Sequence, residues 1–349
     1  MKIVFQHRDL LPVTKYGGTE RVIFWLMKSL GQMGHNVVLI GHPDCQFAGT
    51  NIQLIPISPS TPNYSTEWTK LIPDDTDVIN LFYTPSPEIL NEIKNIPLLI
   101  SIGGNGRPGE IFHPNTIFVS KNHANRHGSE HYVYNGLDFD EYPRENFLRA
   151  KKIKNHQTDQ TEQNQNWNQF LFLAKARWKV KNLKGCVQAA LKTKKHLHVA
   201  GGKSFWGYFS PFIHSHGMVD QKEKIPLFEK SHALLFPVRW HEPFGIAIIE
   251  AYAYGLSVVG TPYGSLPELI RPHTGIIINN FEELCQVLEE PPKIFDADEI
   301  RSFVEENFSK EKMALGYLNY YQKLIKDQKI NPVPPQTISL EHPEKLLPF

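Results

Sequence analysis

At 349 residues the chain is too long for one ordinary core and points to two domains. Lys plus Arg number 37 against 36 Asp plus Glu, which announces no polyanion-binding surface and sets nucleic acid aside. Three scattered cysteines, Cys45, Cys186 and Cys285, make neither a disulfide framework nor a zinc site and suit a reducing cytosol.

Strand-like and helical patterns alternate through the first part, which predicts a parallel sheet with helices on both faces. Residues 2–7 start as a strand and not as a signal sequence. A long loop follows and ends in Tyr16-Gly17-Gly18-Thr19-Glu20, and an amphipathic helix over about 20–34 stops at Gly34. Its apolar stretch, 22–33, is broken by Lys28, Ser29 and Gln32 and is too short for a bilayer. The expectation is a soluble cytoplasmic protein without an integral membrane segment. Strands read at 37–41, 52–57, 77–82, 98–102 and 117–120, and 131–134 reads as one more, entering the Asn135-Gly136 turn.

From 142 to 168 the composition shifts. Lys151-Lys152-Ile153-Lys154 leads into a Gln/Asn-rich stretch with almost nothing apolar, which reads as a linker or mobile loop. Alternation restarts with a strand at 170–175, a helix at 182–193, a strand at 196–200, a helix near 222–230 and a strand at 233–238. Strands at 257–260 and 275–278 precede a helical region over 282–326. The tail from Asn331-Pro-Val-Pro-Pro is too Pro-rich for a helix and should wrap the surface or stay disordered. The predicted fold is two doubly wound α/β domains, 1–150 and 170–308, joined by a linker at 151–169, then a helix at 309–330 and the tail 331–349. Ligands of such sheets bind at the carboxyl ends of the strands, so the site is expected in the cleft between the domains.

The segment Glu242-Pro-Phe-Gly-Ile-Ala-Ile-Ile-Glu250 concentrates the chemistry. A strand, a Gly-containing turn and a helix bring unsatisfied backbone N–H groups and a positive helix end to one spot, suited to phosphate. Eight residues at helical rise span roughly 12 Å, about the distance from a sugar hydroxyl across a diphosphate to a ribose. One Glu at each end of that span suits a nucleotide-sugar. Two carboxylates could instead be an acid/base pair, but retaining hydrolases hold theirs roughly 5 Å apart, so both read as binding groups.

In order along most of residues 1–327, the chain carries Gly17–Glu20, Tyr134-Asn135-Gly136-Leu137-Asp138, Lys181-Asn182-Leu183, Gly217-Met218-Val219-Asp220, the two-glutamate motif, and Gly255-Leu256-Ser257-Val258-Val259-Gly260-Thr261. Together these resemble retaining glycosyltransferases of glycosyltransferase family 4, whose GT-B fold pairs two Rossmann-like domains across a cleft. The resemblance implies that Glu242 holds hydroxyls of the transferred sugar and Glu250 grips the ribose diol. Phe244, Gly245 and Ile246 would present backbone N–H groups to sugar and phosphate. Gly17 and Gly18 would let the backbone approach the diphosphate, where a Cβ would intrude. Lys181 would neutralise the diphosphate, with Lys175 or Arg177 as second cation, and Met218 and Val219 would border the base. Glu242, Lys181 and Arg177 would be the catalytic set. The helix from Ser309 to about Lys326 would cross back to the first domain.

Two departures stand out. The family usually has Gly-Arg after the strand at 170–173, and this chain has Ala174-Lys175; Arg177 is then the candidate for the planar fork that Lys lacks. Many members carry a His in the loop after the strand at 98–102. Here that loop is Ile102-Gly103-Gly104-Asn105-Gly106-Arg107, which leaves Asn105, the acceptor-side candidate, or backbone groups to contact the sugar.

Other motifs read more plainly. Gly201-Gly202-Lys203-Ser204 imitates a P-loop end, but Leu197 stands where the earlier glycine belongs. Asp75-Thr76-Asp77, Asp138-Phe139-Asp140 and Asp296-Ala297-Asp298 fit turns as well as metal motifs, and no metal is expected. His196/His198 and His214/His216 could each project from one strand face, without a third zinc ligand at sensible spacing. Trp68, Trp206 and Trp240 suit either a sugar-stacking wall or a core.

The leading functional expectation is therefore a metal-independent enzyme that moves a sugar, with retention, from a nucleotide-sugar, UDP-sugar first, to an unidentified small metabolite, glycan or protein. No cofactor is expected beyond that substrate, and homo-oligomerisation is left open. An epimerase or phosphorylase on the same fold and a non-catalytic nucleotide-sugar-binding protein are the alternatives. An oxidoreductase is disfavoured because no Gly-x-Gly-x-x-Gly follows the first strand.

Overall fold

A computed structural model describes residues 1–13, 15, 17–61, 65–158, 167–203, 210–290 and 295–349, side chains of 154–158 excepted. Tyr16, Ser204, Trp206 and the Gln/Asn-rich stretch 159–166 lie outside the described residues. The chain divides into two compact units: 1–13, 17–137 and 309–342 form the first, and 14–16, 138–308 and 343–349 the second.

The first unit contains β1 (Lys2–His7), α1 (Gly18–Gln32), β2 (Asn36–Gly41), β3 (Ile52–Pro56), β4 (Val78–Leu81), α2 (Pro87–Glu92), β5 (Leu98–Ile102), β6 (Thr116–Phe118) and α3 (Lys121–Arg126). Its strands are parallel in the order β3-β2-β1-β4-β5-β6. Val37 to Ile40 and Val78 to Leu81 carry almost no polar alternation, because both faces of a parallel sheet are covered. Val22, Ile23, Leu26, Met27 and Leu30 repeat at helical spacing and bury one stripe of α1. Trp68 is fully buried in the core with Val4, Ile79 and Ile100, so it lines no sugar wall. Residues 131–134 do not form the predicted strand. Tyr132 makes one isolated bridge to Phe118, and the chain then turns where Gly136 presses on Ser309; a Cβ there would lie 2.2 Å from the Ser309 carbonyl oxygen.

The second unit repeats that topology. Its strands are β7 (Gln169–Leu173), β8 (His196–Ala200), β9 (Ile213–Gly217), β10 (Ala233–Phe236), β11 (Ser257–Gly260) and β12 (Gly275–Ile277), parallel in the order β12-β11-β10-β7-β8-β9. Its helices are α4 (Arg144–Thr158), α5 (Leu183–Thr193), α6 (Gln221–Lys230), α7 (Ile246–Tyr252), α8 (Leu266–Leu269), α9 (Phe281–Glu289) and α10 (Ala297–Asn307). Helix α4 corrects the linker reading of 151–158. Phe147 and Ala150, one turn apart, are fully buried and anchor it, while its polar last turns dominate the local composition.

The helical region over 282–326 is three helices, capped by the side chains of Asn280, Asp296 and Ser309. The last, α11 (Lys310–Ile325), belongs to the first unit, where Ala314, Tyr317, Tyr321 and Leu324 are buried and the Tyr321 hydroxyl donates to Asn80 at 2.8 Å. The Pro-rich part of the tail, 331–342, is held by backbone of the first unit: Asn331 Nδ2 donates to the Pro114 and Thr116 carbonyls at 2.7 and 2.8 Å, and Phe112 N–H donates to the Pro335 carbonyl. No helix among the described residues is long and apolar enough to cross a membrane.

Candidate active site

In an open doubly wound sheet, the crevice opens where neighbouring strands send their connections to opposite sides. In the second unit that point lies between β7 and β10. The loop after β7 ends in Asn182, held in the left-handed region (φ 58°), whose Oδ1 caps α5 by accepting from Gly185 N–H. Its Nδ2 donates to the Pro237 carbonyl at 3.0 Å, and Arg239 N–H donates to Val180 at 2.7 Å, so the two loops are stitched together. The result is an ion pair across the crevice. Lys181 Nζ lies 2.5 Å from Glu242 Oε2, and Trp240 Nε1 donates to the same oxygen at 2.7 Å. Both charged side chains are more than nine-tenths buried. The ammonium also stands 4.9–5.2 Å from the ring centroids of Trp240, Trp178 and Phe236, favourable positions for a desolvated cation.

The loop after β11 braces Glu242 from behind. Ser265 N–H donates to the Glu242 carbonyl at 2.9 Å, and Ser265 Oγ donates to the Phe244 carbonyl at 2.6 Å. Gly264 sits at φ +66°, and a Cβ there would lie 2.3 Å from Glu242 backbone atoms, so the position admits only glycine. Gly245 is also left-handed (φ 95°) and caps α7. The helix therefore begins only at Ile246. Of the eight-residue spacing, half follows a helical rise of about 6 Å and the rest is turn, which corrects the helical ruler read from sequence.

Glu250, on α7, has its own buried lysine. Lys224 of α6 pairs with Glu250 Oε1, and the fully buried Tyr142 donates to the same oxygen at 2.5 Å. Arg301 of α10 fixes this corner, its Nη1 and Nη2 donating to the Ala253 and Tyr142 carbonyls at 2.5 and 3.0 Å. Sequence reasoning missed Lys224, Tyr142 and Arg301. One signal was present: Lys224 shares the core-facing stripe of α6 with the buried Leu227 and Phe228.

Among the remaining expected residues, Lys175 and Arg177 are exposed in the loop after β7. Met218 (exposed) and Val219 (buried) follow β9, and the buried Phe244 packs on Phe308. Gly17, Gly18 and Asn105 belong to the first unit. A Cβ on Gly17 (φ +153°) would lie 2.6 Å from Glu20 Oε2, so this glycine makes room for a carboxylate of its own helix. Asn105 Oδ1 accepts from Arg126 at 2.9 Å, in a loop whose Gly106 N–H donates to His127 Nε2. Burial pushes the His123 and His127 imidazoles below their ordinary value.

The three Asp-x-Asp pairs are occupied locally. Asp75 and Asp77 accept from Lys2, Asp138 from Asp140 N–H, and Asp296 caps α10. Gly201 and Gly202 N–H both donate to the Gly217 carbonyl, a strand-end loop rather than a P-loop. Among the described residues, His7, Asp9 and Glu20 are the one cluster of three with metal-ligand proximity.

The family described as "Glycosyl transferases group 1" matches residues 168–290, the span that contains Lys181, Glu242 and Glu250. Over nearly the whole chain, the structure superposes on AviGT4, a glycosyltransferase involved in avilamycin A biosynthesis, with TM-score 0.72 and 20% identity, covering 93% of this chain and 98% of that one. The fold is GT-B. Sucrose-phosphate synthase from Thermosynechococcus elongatus shares this GT-B fold (TM-score 0.71, 16% identity, 94% and 100% covered), as does Anabaena Alr3699/HepE in complex with UDP-glucose (0.60, 14%, 94% and 99%). A curated relative, an uncharacterized 41.2 kDa protein in the cps region of Klebsiella pneumoniae, is 35% identical over 118 residues, which span 31% of each chain.

Proposed function

We propose that this chain is a retaining, metal-independent hexosyltransferase of glycosyltransferase family 4, acting in the cytoplasm on a nucleotide-sugar, UDP-sugar first. One observation carries the reading: Glu242 and Glu250, at the two ends of one turn-helix segment, are each held by a buried lysine. Buried ion pairs are poor stability devices, often no better than apolar replacements. Two of them in one segment beside the sheet's switch point make sense as binding groups. Glu242 takes hydroxyls of the transferred sugar and Glu250 the ribose diol. Lys181 gives one of its three N–H donors to Glu242 and has others to offer the diphosphate, with Arg177 or Lys175 beside it. Phe244, Gly245 and Ile246 lend backbone N–H groups, Met218 and Val219 border the base, and Gly17, Gly18 and Asn105 serve diphosphate and acceptor from the first unit.

As the bond from the anomeric carbon to phosphate breaks, negative charge grows on the leaving diphosphate. Preorganised cations aimed at that charge supply about 3–4 kcal/mol per donor. The acceptor oxygen bonds to the anomeric carbon on the face the phosphate leaves, and its proton passes to the departing phosphate oxygen. No carboxylate nucleophile is used.

The test is turnover of a nucleotide-sugar panel with mixed acceptors, with and without EDTA, and NMR of the product's anomeric proton. An α-linked product from an α-donor, unchanged by EDTA, is expected. A nucleoside diphosphate that binds while no donor is consumed with any acceptor would instead leave a nucleotide-sugar-binding protein.

A further inference from the structure

The four histidines of β8 and β9 have no part in the chemistry above. Leu197, Val199 and Ile213 point into the core, so His196, His198, His214 and His216 share the opposite sheet face. Their rings form a zigzag, with centroids 5.2, 4.8 and 5.3 Å apart in the order 196, 214, 198, 216. His196 Nδ1 and His214 Nε2 are 2.9 Å apart, and His198 Nδ1 and His216 Nε2 are 3.1 Å apart.

We infer that His198 and His216 form a two-imidazole site for a first-row transition-metal ion, Cu2+ or Zn2+, bridging β8 and the edge strand β9 of the second unit. Ligand nitrogens about 2.0–2.1 Å from one ion, at tetrahedral or square-planar angles, stand roughly 2.9–3.4 Å apart. The observed separation is already in that range. The outer partner that orients a metal-binding imidazole is also in place: His198 Nε2 lies 2.7 Å from Gln169 Oε1, an acceptor, which fixes the proton on Nε2 and leaves the Nδ1 lone pair facing His216. Without metal, His216 Nε2–H donates to that lone pair. With metal, the His216 proton moves through solvent to its own Nδ1, and no net proton is lost.

Access and protonation agree with this. His198 is buried, whereas His216 is exposed, so an ion enters from solvent and keeps water in its remaining positions. Burial first, then the Lys230 ammonium, pushes His198 down to about 3 and His216 below its ordinary value, so both imidazoles are neutral at pH 7. Neutral imidazole is the metal-binding form. The site is no catalytic metal. β9 lies three strands from β10, about 14 Å away at ordinary strand spacing.

The experiment is titration of the full chain with Cu2+ alone, followed by calorimetry and electron paramagnetic resonance, with Zn2+ as competitor. One saturable equivalent with two-nitrogen coupling is expected. The exposed His216→Gln change removes it, His214→Gln leaves it, and Gln169→Leu weakens it by about 10–100-fold. Absence of saturable binding overturns the assignment. So does an equivalent that survives His216→Gln, or one whose signal reports carboxylate ligands, as the His7, Asp9 and Glu20 cluster would give. None of these readouts depends on sugar transfer.

Discussion

Lys181 and Lys224 show how much of the site rests on single charges. Lys181→Met leaves the Glu242 carboxylate buried with only the Trp240 N–H on the shared oxygen. The expected outcome is a fall in kcat/KM of about 100–1,000-fold together with a lower melting temperature. Adding Glu242→Gln should recover the melting temperature and not the activity, because the buried charge is gone while the cation is still missing. Lys224→Met acts in the same way at Glu250. Removing one partner of a buried pair typically costs 3–5 kcal/mol, measurable by urea unfolding, and the loss in turnover should appear in the donor KM rather than in kcat. Equal loss in kcat would argue against ribose binding by Glu250. The glutamates were legible in the sequence because their spacing is local. Lys181 was legible too, from its own motif, but its pairing with Glu242 across 61 residues was not, and neither was Tyr142, 108 residues from Glu250.

Among elements, the loop after β11 never meets the donor's functional groups in the roles proposed, yet it sets where Glu242 stands. Gly264→Ala must adopt a left-handed backbone, at about 1–2 kcal/mol, and push a methyl into Glu242 backbone atoms. Lower kcat with an intact far-ultraviolet spectrum is expected; wild-type kcat would show that the loop gives way freely. Strand boundaries were read well even in short runs, because a strand's apolar run is legible over four to six residues. β1, β5, β8 and β11 fall where alternation placed them. Helices α2 and α3 were not seen, because six residues give under two turns and no period to read; Ser86 and Ser120 cap them instead. The linker reading of 151–158 failed for the opposite reason, since tertiary burial of Phe147 and Ala150 holds a helix whose composition alone is too polar to announce one.

For the whole molecule, buried neutral histidines set the acid limit of stability. His123, His127 and His198 all titrate below their ordinary value in the folded chain, each chiefly through burial. Unfolded, they take up protons near pH 6.5. Below that pH the unfolded chain binds more protons than the folded one, so stability is full above about 6.5 and falls as the pH drops toward the folded values. His198, at about 3, loses its share across that whole interval. Urea midpoints should therefore decline from pH 7.5 to pH 5, with a shallower decline in His198→Gln. A flat profile in the wild type would contradict burial of these imidazoles as neutral groups.

By itself the sequence determined two doubly wound α/β units, most strand positions, and the two-glutamate segment with its glycine turn. Those features follow from periodicity and turn chemistry within a few residues. Only the tertiary structure decided that β10 lies beside β7, which brings Lys181 to Glu242, and that α6 and Tyr142 converge on Glu250. It also decided that tail residues 331–342 join the returning helix in the first unit and that four histidines stack on one edge. Strand order and helix docking are fixed by burial summed over the whole core, and no local pattern carries that sum.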